Sequence, residues 1–160
     1  MAGTQFPAHD TTGLAIEAPS QDERTMATLA HVLQLVGWWI APLMILIIKR
    51  ESKFVSFHAL QALLLQVLQM IVFGIVMVAW FCIIFSSVVM HPAPKNAPPP
   101  PAIFVVLPLI WLAMMGLWVL LITVAIVYGI KAGRGEWAEY PVLGGLARRI
   151  LGLGPGGTAI

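Results

Sequence analysis

Few side chains in this sequence could do chemistry, and they stand inside or beside apolar runs. His31 and Gln34 are three residues apart, with Thr28 one turn earlier, so on a helix the three share a face. An imidazole so placed can ligate haem or chlorophyll, or pass a proton, and ionisable residues within membrane segments are functional candidates by default. The plainer role is a helix–helix hydrogen bond, worth about 0.6 kcal/mol on average in a membrane. His91 offers a second imidazole on the same side, so a bis-histidine pair with His31 is geometrically possible. His58, Gln61, Gln66 and Gln69 fall within an arc of roughly 140° on a helix turning about 100° per residue. Glu136 and Glu139 form a carboxylate pair that can bind a cation or do acid–base work. With no nucleophile near it, a solvated face is the simpler reading. The single cysteine, Cys82, has no partner for a disulfide or a metal pair. No group of residues combines a nucleophile, a base and an orienting partner. The expectation is a protein that is not an enzyme and holds no metal.

Hydrophobic helices must position these groups. Of 160 residues, 59% are apolar and 10% charged, where a soluble domain carries roughly a quarter charged. Water does not cover such a surface, but lipid does. A bilayer core of about 30 Å needs about 20 apolar residues in a helix, and unpaired backbone is not tolerated there. Three runs qualify: Met26–Ile48, Phe57–Met90 and Ala102–Ile130. The expected fold is all-α, with three transmembrane helices. The second run, 34 residues long, would reach about 51 Å as a helix. It must tilt or protrude, its polar stripe starting at the interface and its fully apolar part near Met70. Pro42 predicts a kink in the first span, and Pro108 a kink or a start in the third. The tail Met1–Ser20 carries Asp10 and Glu17 with no basic cluster, and reads as irregular with no cleaved signal peptide. The expected organisation is a polar tail over 1–24, a membrane domain over 25–142 and a Gly-rich tail over 143–160. Within that last tail, Ala147–Leu151 suits one amphipathic turn, with Arg148 and Arg149 toward anionic lipid.

Charge sets the orientation. Lys49, Arg50 and Lys53 lie between the first two runs, and Lys131, Arg134, Arg148 and Arg149 follow the third. With three crossings these share one side, which the positive-inside rule makes cytoplasmic, with the N-terminus outside. His58 would then lie about 30 Å of lipid away from His31, too far to share a ligand. The outer loop His91–Pro101, HPAPKNAPPPP, has four consecutive prolines and reads as a stiff polyproline II spacer. Ala125, Gly129 and Gly133 repeat every four residues, a spacing that lets helices approach closely. They suit a contact with the first span or with another subunit.

Three blocks carry a resemblance. They are Glu23-Arg24 through Leu29-Ala30-His31; Lys49-Arg50-Glu51-Ser52-Lys53-Phe54-Val55 running on to Phe57-His58-Ala59-Leu60-Gln61-Ala62-Leu63; and Ile130-Lys131-Ala132 with Gly135-Glu136 and Tyr140-Pro141. The set resembles a family of small bacterial membrane proteins of unknown function, described as similar to the Tic-type component of the chloroplast inner envelope. The likeness covers about residues 22–142. It implies a small helical bundle and singles out His58, which would anchor the basic turn by bonding Glu51 or the segment Glu136–Tyr140.

These readings lead to a non-catalytic protein of the bacterial inner membrane, multi-pass, acting as an accessory or assembly subunit of a larger complex. Alternatives are an oligomeric polypeptide-translocation component, as the resemblance implies, and a haem- or chlorophyll-binding subunit through His31. Expected partners are the bilayer and other membrane subunits, with no nucleic acid. The interaction residues are expected to be His58, Gln61, Glu51, Glu136, Tyr140, Pro141, Gly129 and Gly133.

Overall fold

A computed structural model describes residues 18–90 and 101–154, all-helical with no β-strand among them. Helix α1 spans Gln21–Gly37, α2 Ile40–Ile48, α3 Lys53–Met90, α4 Pro101–Gly133 and α5 Leu143–Leu151. The expected outer loop, with His91, and most of the expected N-terminal tail lie outside the described residues. Helix α1 begins on a reciprocal capping box: the Ser20 hydroxyl accepts from the Glu23 amide, and the Glu23 carboxylate accepts from the Ser20 amide. This satisfies donors that the first helical turn otherwise leaves open.

The single helix expected over Met26–Ile48 is in fact a helical hairpin. The chain breaks at Trp38, whose φ of 49° lies in the left-handed region. It restarts with Pro42 in the first turn of α2, where a missing backbone N–H removes no bond. The expected kink is therefore a helix start. Gly37 makes the corner possible, since a Cβ there would stand 2.8 Å from that of Ala41. From the corner α2 runs back along α1. Ile45 packs with Ala30, Val55 and Ala59, and Lys49 returns to within 2.6 Å of the Asp22 carboxylate. The beginning of α1 and the basic turn therefore stand side by side, not on opposite faces.

Helices α3 and α4 are the two long apolar elements. Within them Lys53–Ser86 and Phe104–Gly133 are long and apolar enough to cross a membrane. At 1.5 Å per residue, α3 reaches about 57 Å and α4 about 50 Å. Helix α1 lies between their lower halves, parallel to α3 and antiparallel to α4. The small-residue stripe of α4 faces α1: Ala125 and Gly129 are buried, and a Cβ on Gly129 would lie 3.6 Å from that of His31. The Thr28 hydroxyl reaches the Gly129 carbonyl at 3.1 Å and its own helix's Arg24 carbonyl at 2.9 Å. Pro108 stands inside α4, not at its start; the helix begins at Pro101.

The C-terminal segment also departs from expectation. A positive φ of 68° at Val142 turns the chain into a nine-residue helix, which packs on α3 through Ala147, Leu153, Phe57 and Leu60. Arg148 ties it down by pairing with the Glu139 carboxylate, donating to the Gly154 carbonyl and lying over the Phe57 ring. Residues 143–154 thus belong to the folded unit.

Candidate functional site

The lower ends of α1, α3 and α4 close over a buried polar chain. Helix α1 supplies His31, α3 supplies His58 and Gln61, and the irregular segment after α4 supplies Glu136, Ala138 and Tyr140. Both histidines and Gln61 are fully buried, and Tyr140 is nearly so. The expected 30 Å separation of the histidines is overturned: Nε2 of His31 lies 3.0 Å from Nδ1 of His58. The separation followed from counting α1 and α2 as one crossing. With the hairpin in place, α1 runs beside the start of α3 and the two rings meet edge to face.

The chain has one direction. Nε2 of His58 lies 3.0 Å from the backbone carbonyl of Glu136. A carbonyl only accepts, so this nitrogen carries the proton. In a neutral imidazole the other nitrogen then accepts, so Nδ1 of His58 takes the proton of His31 Nε2. The same step leaves Nδ1 of His31 as the acceptor for the Tyr140 hydroxyl, 2.8 Å away. Beside this chain, Gln61 holds the C-terminal segment twice. Its oxygen accepts from the Tyr140 amide at 2.6 Å, and its nitrogen donates to the Ala138 carbonyl at 3.2 Å. The Tyr128 hydroxyl adds a bond to the Glu139 carbonyl at 2.9 Å. Phe54, Phe57 and Trp137 pack around the His58 end.

Burial pushes the Tyr140 hydroxyl well above its ordinary range, since a phenolate would be poorly solvated there. The Gln34 amide lies next to that hydroxyl and lowers it slightly, short of hydrogen-bond geometry. Both polar atoms of the Gln34 side chain are buried without a hydrogen-bond partner, an arrangement that calls for a reason. Above it, Gln34, Trp38, Gln66, Met70, Phe73 and Trp118 help line a cavity of about 370 Å³ between α3 and α4. The Gln66 amide donates to the Gln34 carbonyl at 3.0 Å.

An outer ring of charges surrounds the buried chain. The Ser52 hydroxyl donates to Glu23 at 2.6 Å. That bond, followed by the Ser20 amide, holds the Glu23 carboxyl below its usual value. Hydrogen bonding to Asp22, reinforced by its charge, raises Lys49. Arg24 packs against Gly135, whose φ of 81° suits glycine, and donates to the Pro19 carbonyl.

The expected interaction residues now have a place. His31, His58, Gln61, Tyr140 and the Glu136 backbone converge, and Gly129 and Gly133 flank them from α4. Glu51 is exposed in the basic turn and Pro141 is exposed before α5. His58 bonds the Glu136 carbonyl, not the Glu51 carboxylate. Glu139 pairs with Arg148, and Glu136 lies 4.0 Å from Arg134. Both ring nitrogens of His31 are engaged, so a metal or haem at that ring must displace Tyr140 or His58. Among the described residues no three His, Cys, Asp or Glu side chains gather to hold a metal ion. Sequence reading did not find Tyr128, Ser52 or the Asp22–Lys49 pair. Their signal is only topological, because they meet when the first apolar run folds back.

The fold and this seam define a small all-helical membrane protein whose parts are joined by buried polar bonds at one end. The sequence profile of the magnetosome magnetite crystal formation proteins, the MamF/MmsF family, matches residues 22–147, from the start of α1 into α5. The chain belongs to that family. The comparisons lend no support to the likeness to the Tic-type import component. No curated protein matches the chain, and no solved structure does.

Proposed function

We propose that this chain is a non-catalytic subunit of the magnetosome membrane that contributes to magnetite crystal formation. It crosses the bilayer twice, through α3 and α4, with both ends and the basic turn in the cytoplasm. The observation that carries the role is the family match, which spans the hairpin, both long helices and the polar seam. The topology rests on the return of Lys49 to Asp22. Arg24 then joins Lys49, Arg50, Lys53, Lys131, Arg134, Arg148 and Arg149 on one side, leaving Lys95 on the other. This is a stronger positive-inside bias than three crossings would give. The buried chain is closed at a carbonyl and offers no open coordination position. It supports a part in holding a binding surface in shape, not in a reaction.

The test is genetic and structural together. Removing the gene in a magnetite-forming bacterium changes the size or number of crystals seen by electron microscopy, and the full-length chain restores them. His58→Ala fails to restore them even when its amount in the membrane equals that of the wild type. Normal crystals without the gene would refute the role. Gentle detergent extraction followed by sizing checks the accessory reading, which requires the chain to travel with other membrane proteins.

A further inference from the structure

The molecule has two widths, and the change falls at the tip of the hairpin. Below Trp38 four helices stand side by side: α1, α2 and the lower halves of α3 and α4. Among the described residues, α3 and α4 continue alone above it and hardly touch each other. Their large exposed side chains there are apolar, among them Ile75, Phe81, Phe104 and Leu112. The outer surface of the hairpin is equally apolar, with Val36 at 85% exposure and Ile48 at 67%. The same hydrocarbon must cover both. Helix α5 adds to the wide end. It buries Gly144 and Ala147 against the protein and leaves Val142, Leu146 and Ile150 exposed at four-residue spacing, with Arg149 beside them. An outward apolar stripe beside basic residues is the pattern of a helix lying in the interface.

A helix about 10 Å across covers about 80 Å² of membrane plane. The hairpin therefore places about 160 Å² more protein in one leaflet than in the other. We infer that the chain is a membrane wedge, whose partner surface is a bilayer that is convex on the side of the basic turn. The extra cross-section and the interfacial helix both expand that leaflet, and a convex leaflet has the room to take them. This inference rests on the two-crossing topology proposed above.

Vesicle size tests it. The full-length chain with Cys82→Ser and a reporter Glu51→Cys in the exposed basic turn is reconstituted into phosphatidylcholine–phosphatidylglycerol vesicles. Two diameters are used, about 30 nm and about 200 nm, since membrane insertion of this type depends on curvature. A membrane-impermeant maleimide then reads which way the turn faces, before and after detergent. In the small vesicles outward-facing turns should exceed inward-facing ones about tenfold, and in the large ones the two should be nearly equal. Lipid composition is the same in both, so a difference reports curvature alone. Equal ratios at both diameters overturn the wedge. Reporters at Gln21→Cys, Arg149→Cys and Asn96→Cys separate this from a failure of the topology. If Gln21→Cys labels together with Asn96→Cys, the two-crossing reading falls and the wedge with it. If it labels together with Glu51→Cys and Arg149→Cys and the ratios are still equal, only the wedge is overturned.

Discussion

Gln61 is the most informative single residue to change, because one fully buried side chain makes two of the bonds that fasten the C-terminal segment to α3. Gln61→Leu keeps the volume and removes both bonds. The Tyr140 amide then has no partner in a site where Tyr140 is 3% exposed, and an unsatisfied buried donor costs about 1–3 kcal/mol. The Ala138 carbonyl is half-buried and can reach water, so its loss adds about 1 kcal/mol at most. The sum is about 1–4 kcal/mol against the docked segment, which raises the population of the undocked form about 5- to 1000-fold. Hydrogen exchange at the Tyr140 amide in detergent micelles measures that population directly. Gln61→Glu is the companion variant. It keeps an oxygen facing the Tyr140 amide but loses the donor to Ala138, and it buries a carboxyl group. The amide should stay better protected than in Gln61→Leu. Protection in Gln61→Leu within about threefold of wild type would mean that apolar packing of α5, not these bonds, holds the segment.

The remaining predictions concern the hairpin, the chain and the charges around them. Gly37→Ala forces a Cβ to 2.8 Å from that of Ala41 and should destabilise the hairpin by about 1–3 kcal/mol in denaturant titrations in mixed micelles. Gly74→Ala meets nothing within 4 Å and should be neutral or stabilising in the same assay. Tyr140→Phe removes the hydroxyl that His31 Nδ1 accepts from and should cost about 1–3 kcal/mol, read from the same titrations. The raised Tyr140 hydroxyl also gives a pH signature. The folded form keeps its proton where the unfolded chain has lost it, so stability should fall as pH rises above the ordinary tyrosine value of 10.0. Tyr140→Phe should remove that fall. Glu23 has the opposite sign. Its folded carboxyl is held below 4.5, so its contribution is present at neutral pH and is lost as pH falls through the lowered value. The group is largely solvated, which limits the effect to about 1 kcal/mol or less, and Glu23→Gln should abolish the acid-side change.

Much of the molecule is legible in the order of its residues. Apolar runs of this length must be helices in lipid, because no other local structure pairs every backbone group. The blocks around Lys49–Leu63 and Ile130–Pro141 also stand out, since charged and polar residues interrupt an otherwise apolar chain there. Those blocks do form the seam. The first apolar run is different. Met26–Ile48 has enough residues to cross once, but it folds back. A span and a hairpin both satisfy their backbone internally, so composition does not choose between them. Pro42 misleads in the same way, since it suits a kinked span as well as the first turn of a second helix.

The sequence by itself therefore determined a membrane protein made of helices, its polar residues and the segments that carry them. Only the tertiary structure decided which of those residues meet. His31 and His58 are separated by a whole bilayer when α1 and α2 are counted as one crossing. They stand 3.0 Å apart because the chain reverses at Trp38. The physical reason is that hydrophobicity acts through the area removed from water and has no direction. Direction came instead from a few contacts distant in sequence: Lys49 with Asp22, Ser52 with Glu23, and the imidazole pair itself.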